Sequence, residues 1–216
     1  MAAFTNLDVA SINKNGVLAY ESSAVATELV TSITSKDADV ANAALSSVKT
    51  LCEGVDQWIE PYLVESLPAI LEALADKKTV EAATAAGTAI LAKSSPNSIR
   101  VVTNSIYESF TSMKWQTKKG GLVLLGALGK IHPEVVQQNL PEMILKLIDI
   151  ASDVKKDVKE QTRIAFNELC ATITNVDITP IIPNVIDGYC DPVKKTTAAL
   201  DSLVATTFIN DVDVPT

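Results

Sequence analysis

Apolar residues recur along most of this chain at offsets of three, four and seven, which places them on one face of a helix. The clearest row is Val158, Thr162, Ala165, Phe166, Leu169, Cys170 and Ile173. Others are Val80, Ala83, Thr84, Gly87, Ile90 and Leu91; Val40, Ala44, Val48, Leu51 and Cys52; and Val193, Thr197, Leu200, Val204 and Phe208. Each row predicts an amphipathic helix, and each follows another helical stretch. Three of those stretches open alike, at Leu67-Pro68-Ala69-Ile70-Leu71, Leu140-Pro141-Glu142-Met143-Ile144 and Ile182-Pro183-Asn184-Val185-Ile186. The prolines stand 73 and 42 residues apart. The longer step holds two periods, so a degenerate unit lies between, with its first helix at 97–112 and no proline.

Five helix pairs result, at 24–53, 57–93, 97–131, 133–173 and 177–208. A period near 40 with two helices per unit is the signature of HEAT or armadillo repeats. The predicted fold is all-α, an α-solenoid of about five HEAT-type helix pairs in an armadillo-like superhelix. One pair cannot bury both of its apolar faces, whereas stacked pairs can. The prolines are expected early in the first helix of each pair, where a missing N–H matters least, or at a bend. Asp76, Asp153 and Asp191 fall at turns, suited to capping the second helices. Residues 1–23 carry a weaker pattern with an Asn15-Gly16 turn signal, and read as a leader or N-terminal cap. Residues 24–216 read as the repeat array, expected to belong to a longer one because no polar cap closes it at Val214-Pro215-Thr216.

Composition narrows the function. The 216 residues are 47% apolar and only 5% aromatic, which suits close helix packing and argues against a base-stacking module. Net charge is −8 and the pI about 4.7, the reverse of a domain that is basic overall. Cys52, Cys170 and Cys190 form no C-x-x-C pair, lie among apolar residues and read as buried reduced thiols. No targeting signal opens the chain and no run of apolar residues could span a bilayer, so a cytoplasmic protein without membrane contact is expected. His132 is the only histidine and precedes Pro133 at a helix entry, so a triad or a histidine metal site has little to draw on. Gly126-Ala127-Leu128-Gly129-Lys130 fails as a phosphate loop: Leu124 stands at the first glycine position and Ile131 replaces the Ser or Thr. Close helix packing accounts better for those glycines. No catalytic residue, cofactor, metal or small-molecule substrate is expected.

Lysine doublets occur at Lys77-Lys78, Lys118-Lys119, Lys155-Lys156 and Lys194-Lys195, with first members 41, 37 and 39 residues apart. That is the repeat period, so one copy per repeat should line an edge of the stack, widened by Lys114 and Lys159. Two readings stay open: lysines that bond turn carbonyls or a neighbouring aspartate, and an edge that meets phosphates or acidic groups. The 118/119 pair sits deeper in its helix than the rest. Trp115, at a repeat turn, is a packing wedge or an exposed contact.

Several strings are recognisable in order: Glu60-Pro61-Tyr62-Leu63-Val64 into Leu67-Pro68-Ala69-Ile70, Lys114-Trp115-Gln116, Leu140-Pro141-Glu142, Cys190-Asp191-Pro192, and Ala205-Thr206-Thr207-Phe208. Over about 24–214 the chain resembles the N-terminal HEAT domain of fungal-type translation elongation factor 3. It is also similar to the elongation-factor-3-like segment of the HEAT scaffold of the general amino-acid control pathway. The resemblance implies ribosome association, with rRNA and ribosomal proteins as partners. In that family twin ATP-binding cassettes hydrolyse ATP; this sequence has none, so any ATPase would belong to other sequence. No family site transfers residue by residue. The expected function is a non-catalytic ribosome-associated binding module. The alternative is a general protein–protein scaffold of the general-control, transport-receptor or tubulin-binding kind, with another protein as partner.

Overall fold

The computed structural model describes residues 8–174, 179, 180 and 182–190. The second helix expected at 193–208, with Asp191, Lys194 and Lys195, lies outside the described residues. Among them the regular structure is helical throughout: α1 (Val9–Asn15), α2 (Val17–Glu21), α3 (Ala24–Ile33), α4 (Ala38–Gly54), a 3-10 turn (Gln57–Ile59), α5 (Glu60–Glu65), α6 (Leu67–Ala73), α7 (Val80–Lys93), α8 (Ile99–Ser109), α9 (Trp115–Ile131), α10 (Pro133–Ala151), α11 (Lys156–Cys170) and α12 (Ile182–Cys190). The chain divides into two compact units, Met1–Leu124 and Leu125–Thr216.

In the first unit α3 pairs with α4, and α6 with α7, while α4 and α7 lie side by side as the second helices of successive repeats. Leu45, Val48, Leu51, Ile70, Ile90 and Leu91 are buried between them. Full burial of each such side chain stabilises the fold by about 1.5–3 kcal/mol. Small residues set the spacing: a Cβ on Gly87 would fall 2.8 Å from Leu124 Cδ1, and one on Gly120 2.5 Å from Leu74 Cδ1. Residues 9–21 form two short helices that pack on α4 and α3. Tyr20 is buried there, edge-on to Trp58 and Tyr62, and Asn13 Oδ1 accepts a hydrogen bond from the Asp56 N–H at 3.0 Å.

In the second unit α10 packs on α11, and α12 on both. Of the row read from sequence in α11, Val158, Thr162, Ala165, Phe166, Leu169 and Cys170 are buried and Ile173 is half-buried. The string Gly126–Lys130 is helix, within α9, and not a loop. Gly129 faces the backbone of α11, where a Cβ would fall 3.1 Å from the Glu168 carbonyl oxygen; Gly126 faces the Glu168 carboxylate. That carboxylate also takes Lys130 Nζ at 2.5 Å.

The prolines divide in two. Pro61, Pro68 and Pro133 occupy the first turns of α5, α6 and α10. Pro141, for which an early place or a bend was expected, lies well inside α10, which starts at Pro133. Asp76 and Asp153 also act differently from the N-caps expected. The residues that precede α7 and α11, Thr79 and Lys155, make no side-chain cap bond. The aspartates shape the turn before them.

A candidate interaction edge at the repeat turns

Among the described residues, each turn from a first to a second helix is closed by the same device. A short polar side chain accepts a hydrogen bond from the backbone N–H two residues on, which tightens the bend locally. Ser35 Oγ takes the Asp37 N–H at 3.2 Å, Asp76 Oδ1 the Lys78 N–H at 2.9 Å, Ser112 Oγ the Lys114 N–H at 3.2 Å, and Asp153 Oδ1 the Lys155 N–H at 2.8 Å. Lys114 and Lys155 stand immediately before α9 and α11, Lys78 stands one residue further from α7, and the first repeat carries Asp37 before α4. Lys118 and Lys119 are not equivalent to the other doublets. They lie inside α9, half-buried, and both already interact with other groups.

Lys77, Lys78, Lys114, Lys155, Lys156 and Lys159 are all exposed. Lys156 Nζ lies 3.5 Å from Glu160 Oε1, an exposed pair that contributes little. The structure brings Lys77, Lys78, Lys114, Trp115, Lys118 and Lys119 into the first unit, and Lys155, Lys156 and Lys159 into the second.

In the first unit the turns are neighbours. Asn42 Nδ2 donates to the Lys78 carbonyl at 3.2 Å. A polar groove of about 170 Å³ is shared by Lys36, Glu72, Asp76 and Lys114. A second groove, of about 220 Å³, runs past Leu74, Lys77, Val80, Trp115, Lys119 and Val123. Trp115 is the first residue of α9 and is half-buried in its wall.

One cluster was not foreseen. Glu60, only 8% exposed, receives Ser95 N–H at 2.7 Å, Ser95 Oγ–H at 3.0 Å and the Ser98 hydroxyl on one oxygen. Gln57 Nε2 donates to its other oxygen at 2.8 Å and to the Lys93 carbonyl at 2.6 Å. Lys93 Nζ in turn donates to the Val55 carbonyl at 2.5 Å. Burial opposes the Glu60 charge, but the donors from Ser98, Ser95 and Gln57 outweigh it and hold the carboxyl below its usual range. The signal in the sequence was a glutamate just before Pro61 at a helix start, with serines 35 and 38 residues on. The glutamine tie recurs in the second unit, where the Gln137 amide donates to the Thr172 carbonyl. Burial raises the Cys52 thiol to about 12 and the Cys170 thiol to about 11, so neither is a ready nucleophile. Among the described residues no three metal-ligating side chains come together, and no helix is long and apolar enough to cross a membrane.

The model of the family described as EF3 N-terminal HEAT repeat matches residues 3–166. Protein ILITYHIA of Arabidopsis thaliana is 31% identical over 180 residues, 80% of this chain and 7% of that protein. Elongation factor 3 of Phytophthora infestans is 32% identical over 194 residues, 88% of this chain and 19% of that protein. Stalled ribosome sensor GCN1 of Homo sapiens is 29% identical over 174 residues, 80% of this chain and 6% of that protein. The chain thus spans less than a fifth of the length of each of these relatives.

Proposed function

Because this chain belongs to the EF3 N-terminal HEAT repeat family, we propose that it is a non-catalytic, ribosome-associated binding module working in the cytoplasm. One relative is an elongation factor and another a sensor of stalled ribosomes, which supports a ribosomal partner. Any nucleotide hydrolysis by a longer protein would lie in other segments. The contact we propose is the lysine-bearing turns: Lys77, Lys78, Lys114, Lys155, Lys156 and Lys159, with Trp115, Lys118 and Lys119 beside them and Lys194 and Lys195 continuing the series in sequence.

The observation that carries this reading is the recurrence of Lys78, Lys114 and Lys155 as the residue whose N–H closes the turn before a second helix. A lysine there is a point charge on a flexible stem, held out from a fixed base, which suits phosphate contact without base reading. The test is co-sedimentation with purified ribosomes across a salt series. Each phosphate contact adds about −0.7 to −0.9 to the slope of log affinity against log salt. Changing Lys78, Lys114 and Lys155 together to Ala should weaken binding and make the slope shallower by about two to three units, at one contact per lysine. Helix content should hold, since solvent-facing charges contribute little to folding. Unchanged co-sedimentation with a lowered melting temperature would mean that these lysines serve the fold.

A further inference from the structure

The larger groove of the first unit has a composition unlike the surface around it. Its walls are carbon: Leu74 from the end of α6, Val80 at the start of α7, and Trp115 and Val123 from α9. Gly120 lets α9 come close to Leu74, which closes the base. Val80 is 37% exposed and Trp115 half-buried, so apolar surface of both helices faces the opening. The polar side chains that line it are Thr84, Gln116 and two cations, Lys77 and Lys119. No carboxylate lines it, although the chain carries 26 acidic residues against 18 basic ones. The neighbouring groove, by contrast, sets Glu72 and Asp76 beside its lysines.

An apolar cleft with cations at its rim complements an apolar anchor flanked by negative charge. We propose that this groove docks an acidic peptide segment of a partner protein. A bulky apolar side chain of the segment packs against Trp115, Val80 and Val123, and a flanking carboxylate lies toward the exposed Lys77. A nucleobase fits less well. Its ring edge carries donors and acceptors that a carbon-lined wall would leave unpaired, whereas an aliphatic or aromatic side chain loses nothing on entering. The groove goes beyond the ribosome reading, since its occupant need not be ribosomal.

The test uses the full 216-residue chain and no ribosome. The probe is a short fluorescein-labelled peptide with a leucine–phenylalanine pair flanked by aspartates, followed by anisotropy. One control peptide replaces the apolar pair with alanines, and a labelled oligouridine serves as a nucleic-acid control. The acidic apolar peptide should bind at least about tenfold more tightly than its alanine counterpart, because anchors in pockets carry most of the energy of such contacts. Trp115→Ala and Val80→Glu should each weaken it by at least about tenfold. Val80→Glu guards against a mere folding defect: position 80 opens α7, where a carboxylate favours the helix N-terminus, so thermal melting should not fall. On binding, the emission of Trp115 should shift to the blue, and the shift should vanish in Trp115→Phe. The proposal is overturned if the peptide does not bind, if Val80→Glu leaves binding unchanged, or if the alanine peptide binds equally well. It is also overturned if oligouridine binds more tightly and Val80→Glu weakens that binding. The two readings fail separately, because the ribosome test changes Lys78, Lys114 and Lys155, none of which lines this groove.

Discussion

Glu60 takes three hydrogen bonds on one carboxylate oxygen and one on the other, from the turn between α7 and α8 and from the 3-10 turn before α5. It is therefore a charge that the fold needs in place. Replacing it with Ala should cost about 1.5–3 kcal/mol in urea denaturation, the range for bonds to a charged group. The same donors give it a pH dependence of known sign. The folded carboxyl binds a proton less readily than the unfolded one, so protons favour the unfolded chain. The stabilisation is complete above the ordinary glutamate pKa of about 4.3 and fades as pH falls through the lower folded value. Melting temperatures from pH 7 downward should fall less steeply for Glu60→Gln than for the parent. An identical acid profile for the two would assign the acid sensitivity to other carboxylates.

Helices α6 and α10 contain prolines that look alike in sequence and behave differently in place. Pro68 sits in the first turn of α6, where no intrahelical donor is missing. Pro141 sits inside α10 and leaves the Gln137 carbonyl without its helical N–H. Pro141→Ala should raise the melting temperature by restoring that donor. Pro68→Ala should leave it unchanged or slightly lower, since only the stiffness of the unfolded chain is lost. Equal shifts would mean that α10 bends enough to make its proline costless. The same pair shows what periodicity reveals. The apolar row of α11 is buried almost as read, because offsets of three and four fix a helical face without reference to anything outside it. The place of a proline depends on where its helix starts: with the start at Pro133, Pro141 falls in the interior, where the sequence reading allowed a bend. The lysines misled in a related way. Doublets align by residue type, but the bond from Asp76, Ser112 or Asp153 to the second residue on sets the register, so Lys114 and not Lys118 is the counterpart of Lys78. The Glu60 cluster and the Trp115 groove were out of reach for another reason: each joins residues tens of positions apart, and a pattern within one helix says nothing about its neighbour's surface.

On the scale of the molecule, the fold predicts a far-UV circular dichroism spectrum of well over half helix, above the usual one-third of about 30–35%. A measured strand content above about a fifth would contradict it. The ties that join one repeat to the next have a further property. Asn13 to Asp56, Glu21 to Tyr62, Asn42 to Lys78, Val55 to Lys93, Glu60 to Ser98 and Lys130 to Glu168 each span 36 to 43 residues. Each loop closed in forming them is about one repeat long, so chain closure costs little more at the end of the array than at its start. Contacts confined to one repeat and its neighbour spare the chain the slow pairing of distant segments. A ribosome adding about 5–20 residues per second releases a new repeat every few seconds. Each emerging helix pair then finds its partner already waiting in the pair before it, and the growing chain can be packed from its N-terminus while its later codons are still being read.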